Sequence, residues 1–181
     1  MKRYIAFLRG INVGGHTVKM EQLRALFTAL GLQNVNSYIN SGNIFFDSEQ
    51  TDRAALAATI EQQLQQALGY AVPVFLRTVP EVEALIAQQP FHGIILTPET
   101  RFAVTFTNQP LSTDLVLPQS SSKHDMDLVA VNQYEAFIVW HIVNGRPPSG
   151  KFPATLLPPS NTTRFFHTLQ KIVQAAQKPA H

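Results

Sequence analysis

The residues with most chemistry to offer lie in one run, Arg9-Gly10-Ile11-Asn12-Val13-Gly14-Gly15-His16-Thr17-Val18-Lys19. Gly10, Gly14 and Gly15 tolerate positive φ and let backbone amides turn inward, a geometry that holds anions. Arg9 and Lys19 add positive charge, and Asn12 adds a side-chain amide. The chemistry such a loop suits is recognition of a phosphate or carboxylate. The spacing also approaches that of a phosphate loop, with two glycines four residues apart and then x-Thr. His16 stands where that loop needs lysine, and imidazole is shorter and mostly neutral at pH 7. Nucleotide hydrolysis is therefore not expected.

A second polar run, Asn40-Ser41-Gly42-Asn43, reads as a hairpin turn. Arg164 follows Asn161-Thr162-Thr163 and is expected to open the last helix, as Lys19 opens the first. A cation there opposes the helix dipole at a cost of ~0.3–1 kcal/mol. Two such placements ask for a negative neighbour, which is either a ligand or an acidic side chain of the chain itself. The candidate ligand-binding residues are Arg9, Asn12, Gly14, Gly15, Lys19, Asn40, Ser41, Asn43 and Arg164. The competing reading is that Arg9, Asn12 and Asn43 only hold two loops together, because turns favour glycine and asparagine.

Elsewhere the reactive residues are sparse. His124-Asp125-Met126-Asp127 reads as a solvated loop beside a serine run, and His141 as a core residue of an apolar strand. No metal site, cofactor or catalytic residue is assigned. Whether the chain is an enzyme is left open, with His16 the sole candidate base near the loop.

The elements that position these residues follow from periodicity. Tyr4–Leu8 is an unbroken apolar run, as in a strand covered on both faces. Leu23, Leu26, Phe27 and Leu30 mark one helical face, with Thr17 as expected N-cap and Gly31 as stop. Strands over 35–39 and 44–46 flank the Ser41-Gly42 turn. Leu56, Ile60, Leu64 and Leu68 then give a helix ended by Gly69, and Val72–Arg77 a fourth strand. The order β-α-β-β-α-β predicts a ferredoxin-like split βαβ arrangement. It places the loop after the first strand beside the hairpin after the second.

The second half is less regular. A short helix is expected from Pro80, strands at 102–107, 128–131 and 136–143, and an amphipathic last helix through Phe165, Leu169, Ile172, Val173 and Ala176. Residues 111–117 form an unassigned element, and 120–124 the most mobile segment. The fold class is α+β: a ferredoxin-like subdomain over 1–78, and a shortened second α+β half over 79–181 packed on it.

Composition bounds the rest. The chain has 181 residues, 45% of them apolar and 14% charged, which suits a globular protein. A net charge of +2 does not by itself call for nucleic acid. With no cysteine, disulfides and thiol catalysis are excluded. No leader or membrane span is evident, so the expected location is cytoplasmic and no membrane partner is expected.

Three runs carry a resemblance: Arg9–Gly15, then Val18-Lys19-Met20 with Leu23-Arg24, then Tyr38–Asn43. With Thr163–Thr168 and Lys171-Ile172, they resemble the domain of unknown function 1697 family of small bacterial proteins. The resemblance implies no activity. It departs at Phe165, Phe166 and His167, where relatives commonly carry Asn-Trp-Asn.

Three functions fit these residues. The first is binding of an anionic small molecule at the glycine and asparagine rim. The second is RNA or single-stranded nucleic-acid binding, stacking bases on Tyr4, Phe7, Phe45 and Phe46. The third is an enzyme in which Arg9 and Lys19 stabilise a developing anion.

Overall fold

The computed structural model describes residues 1–178. It contains four helices and two antiparallel sheets, an α+β fold. By contacts the chain divides into two compact units, Met1–Ala84 with the chain from Lys171, and Leu85–Gln170. The end of the last helix, from Lys171, groups with the first unit.

In the first unit the order is β1 (Lys2–Leu8), α1 (Met20–Ala29), β2 (Gln33–Ser37), β3 (Asn43–Ser48), α2 (Arg53–Leu68) and β4 (Val74–Thr78). Helix α3 (Val79–Ala87) follows. The strands align as β2-β3-β1-β4, so β3 lies between β1 and β2. Every neighbouring pair is antiparallel. Strand alternation sends Tyr4, Ala6 and Leu8 into a core with Ile44, Phe46 and Leu76. Leu23 and Phe27 of α1 and Leu56, Ile60 and Leu64 of α2 close it. The opposite face is buried too, since Ile5, Phe7, Phe45 and Phe75 are all 0% exposed. This is why the β1 run is apolar without alternation.

The ends of α1 and α2 have identifiable causes. Asp52 caps α2 by accepting from the Ala55 amide at 3.0 Å, and Gly69 ends it in the left-handed conformation at φ 82°. Gly31, at φ 79°, lies just past the end of α1 and donates to the Thr28 carbonyl.

The second unit departs from its expected plan. Its strands are β5 (Thr100–Thr107), β6 (Gln119–Ser120), β7 (Met126–Val131), β8 (Glu135–His141) and β9 (Asn161–Phe165), and α4 (Phe166–Ala176) follows. The sheet order is β6-β7-β8-β5-β9. No helix or strand forms over residues 111–117. The segment expected to be mobile starts in β6, and Ser121 is 1% exposed. Arg164 does not open a helix; it lies in β9 opposite Val104. Pairing with the edge of β5 satisfies the backbone of Asn161–Phe165, and its β-branched threonines suit a strand. Phe165 leaves the helical stripe for the same reason.

Phe91 stacks on Phe102 at 4.5 Å and meets Phe166 edge-on at 5.3 Å. A separate cluster of Leu111, Leu128, Ala136 and Ile138 is flanked by Trp140, Phe152 and Leu157. No helix among the described residues is long and apolar enough to cross a membrane.

Candidate functional site: the glycine and asparagine rim

The end of β1 is tied to both of its neighbours. The Leu8 amide donates to the Gly42 carbonyl at 2.8 Å, and the Arg9 amide to the Pro73 carbonyl at 3.0 Å. Gly42 has φ 73°, and a Cβ there would lie 3.0 Å from the Leu8 Cβ. Only glycine lets the hairpin approach this closely. The loop and the hairpin are thereby held at the same end of the sheet.

Asn12 fastens them. Its Nδ2 donates to the Asn40 carbonyl at 2.9 Å, and its Oδ1 accepts from the Val18 amide at 2.7 Å. Its own φ is 58°, a left-handed value that asparagine accepts more readily than most residues. Asn43 is 0% exposed and organises the hairpin from within. Its Nδ2 reaches the Tyr38 carbonyl at 3.2 Å and the Ser41 Oγ at 2.9 Å. Asn12, Asn40, Ser41 and Asn43 are thus brought together, with the Asn12 and Asn43 side chains bonded within the chain.

What faces water is the outer arc of the loop. Gly10, Gly14 and Gly15 have φ 77°, 62° and 86°, and a Cβ on any of them would meet open space. Arg9, His16, Thr17 and Lys19 are exposed. Lys19, rather than Thr17, is the N-cap of α1, at φ −70° and ψ 138°, and it makes no side-chain cap. The first-turn amides of α1 therefore end without the side-chain acceptor that serine or aspartate supplies. Thr17 is not the cap because α1 starts at Met20, which puts Thr17 two residues before the N-cap. The His16 ring stacks on Tyr70 at 4.0 Å.

One residue escaped the sequence reading. Arg24 Nη1 donates to Ser37 Oγ at 2.7 Å, joining α1 to the end of β2. The Val18–Arg24 run contained it, but nothing in its spacing marks a cross-element bond.

Arg164 belongs to the second unit. It is 9% exposed and donates from Nη1 to Thr162 Oγ1 and the Thr163 carbonyl, both at 2.9 Å. Burial pulls its pKa down to about 10.

The stretch around Asp125 is not the solvated loop its composition suggests. Asp125 is 9% exposed and accepts from Ser121 Oγ, the Ser149 amide and the Gly150 amide. The Ser121 hydroxyl, then the Ser149 and Gly150 amides, hold its pKa down at about 2. Asp127 meets His141 Nε2 at 2.7 Å, so His141 is half-exposed and paired, not a core residue. Burial would raise the Asp127 pKa, but bonds from Ser120 and His141 outweigh it and leave the group lowered. No group of three His, Cys, Asp or Glu among the described residues is arranged to hold a metal.

A family model described as a protein of unknown function, DUF1697, matches residues 1–137. The chain belongs to that family. Both rim motifs of this DUF1697 chain lie within the matched region, while Arg164 and the Phe165–His167 departure lie outside it. The solved structure of the conserved bacterial protein SP0830 from Streptococcus pneumoniae is similar to it throughout, at 27% identity and a TM-score of 0.72. That similarity covers 98% of this chain and 99% of the other. No curated protein matches the chain.

The outer arc carries two exposed cations, Arg9 and Lys19. It offers no paired carboxylates and no nucleophile beside a base. The aromatics suited to stacking bases are hidden, with Tyr4 1% exposed and Phe7, Phe45 and Phe46 0%.

Proposed function

We propose that this DUF1697 chain binds a phosphate- or carboxylate-bearing small molecule on the outer arc of the rim. The observation that carries the reading is Lys19, a cation at the N-cap of α1 with no side-chain cap. The exposed Gly14 and Gly15 beside it suit amides turned towards an anion. Arg9, Lys19 and the loop amides contact the ligand in this reading. Asn12, Asn40, Ser41 and Asn43 form the frame that fixes the loop. Arg164, buried in the other unit, is left out.

The same reading takes the first unit as a ferredoxin-like split βαβ fold, supported by its strand order, and the protein as cytoplasmic. It keeps the two-part division, with a first subdomain near 1–78.

A thermal-shift screen of nucleotides, sugar phosphates and carboxylic acids tests it. A ligand at about a hundredfold its Kd stabilises by about 2.7 kcal/mol, a shift of several degrees. Hits at the rim should vanish in Arg9→Ala and Lys19→Ala. A screen in which every hit survives both substitutions would refute it.

A further inference from the structure

The second unit holds a cavity of about 360 Å³ that none of the rim chemistry touches. Its size lies within the ~300–1,000 Å³ of small-molecule sites. Phe102 and Phe166 line its apolar side with Leu96. Both rings are fixed from behind by Phe91, which lies parallel to Phe102 at 4.5 Å and edge-on to Phe166 at 5.3 Å. The apolar wall is therefore set before any ligand arrives.

Leu96 of this lining ends a run that is unusual for a surface. Ile94, Ile95 and Leu96 are consecutive and are 37%, 80% and 62% exposed. Three adjacent apolar side chains left in water are a fault in a design unless they serve function.

The polar side of the cavity is basic. Arg101, His167 and Gln170 line it, and no acidic residue does. Arg101 Nη1 is held by the carbonyls of Pro98 at 2.8 Å and Thr100 at 2.7 Å. That fixes the guanidinium while its Nε and Nη2 keep no partner among the described residues. The threonine hydroxyls nearby are engaged, since Thr100 Oγ1 accepts from the Thr97 amide at 2.7 Å and Thr97 Oγ1 from the Glu99 amide at 3.3 Å. The first turn of α4, which carries His167, adds a dipole that favours negative charge.

We propose that this cavity is a second ligand site, for a monocarboxylate with a compact aromatic or branched aliphatic body. The body lies on Phe102, Phe166 and Leu96, and the carboxylate meets Arg101, with His167 and Gln170 as further donors. One fixed guanidinium matches a carboxylate, whereas a phosphate dianion would call for more cationic donors. The site is independent of the rim.

Phenylacetate is the probe, titrated into the full chain by calorimetry and by emission of Trp140. Trp140 is the chain's only tryptophan and the cross-strand partner of Arg101. Saturable binding is expected for phenylacetate, with phenylacetamide at least about tenfold weaker, the worth of one charge-assisted bond. Acetate, which lacks the apolar body, should not saturate. Arg101→Gln should weaken phenylacetate about tenfold and leave phenylacetamide unchanged. Leu96→Glu, at an exposed position that does not threaten folding, should weaken phenylacetate through like charge. Equal affinity for acid and amide, indifference to both Arg101→Gln and Leu96→Glu, or no saturation by phenylacetate or isovalerate would each overturn the proposal.

Discussion

Replacing Asn12 separates the two things it does for the rim. Its amide makes two bonds, to the Asn40 carbonyl and from the Val18 amide. A hydrogen bond of this kind contributes about 0.5–1.5 kcal/mol. Val18 is 6% exposed, so its amide has little water to turn to, and the upper half of that range applies. Asn12 also sits at φ 58°, where an alanine is strained by about 1–2 kcal/mol. Asn12→Ala should therefore lose about 2.5–5 kcal/mol, combining the two bonds and the strain. Asn12→Gly loses the same bonds without the strain and should retain about 1 kcal/mol more than the alanine variant. Asn12→Asp keeps the acceptor for Val18 but sets a carboxylate against the Asn40 carbonyl, and should fall between wild type and alanine. Urea denaturation, followed by far-UV circular dichroism with slopes compared, measures all three. The reasoning fails if glycine costs as much as alanine. It also fails if both stay within about 0.5 kcal/mol of wild type, the scatter of neutral surface changes.

Three further outcomes are expected. Gly42→Ala, at φ 73° with its Cβ 3.0 Å from the Leu8 Cβ, should cost about 2–4 kcal/mol in the same denaturation experiment. Asp125 has its pKa lowered from 3.8 to about 2, so its contribution is complete above 3.8 and lost as pH falls towards 2. Melting curves across that window should fall less steeply for Asp125→Asn than for wild type. Tyr70 hides its hydroxyl without a partner among the described residues, so Tyr70→Phe should be neutral or stabilise by up to about 1 kcal/mol, read as Tm.

The first unit was legible because its signals are local. Apolar runs, four-residue helical spacing and glycine stops each name an element, and Ser41-Gly42 names the turn that sets Asn43 beside β1. The roles of the asparagines were not legible. Whether Asn12 meets a ligand or the Asn40 carbonyl depends on the positive φ it adopts, which composition does not reveal. Thr17 has a capping side chain, but the helix starts at Met20 and leaves it outside the cap. In the second unit short segments settle by distant pairing. Phe165 falls on the stripe of the last helix, yet pairing with β5 draws Asn161–Phe165 into a strand. Asp125 looks solvated in sequence because Ser149 and Gly150, which bond it, lie far along the chain.

Because the first unit takes in both Met1–Ala84 and the chain from Lys171, its order of manufacture differs from its order in space. Arg3 Nε donates to the Ala176 carbonyl at 3.0 Å, across a separation of 173 residues. On a ribosome β1 is made among the first residues, but this partner emerges only after the whole second unit has been synthesised. Arg3 can use Asp47 and the Asn34 carbonyl much earlier. Those two acceptors can hold its guanidinium while translation catches up.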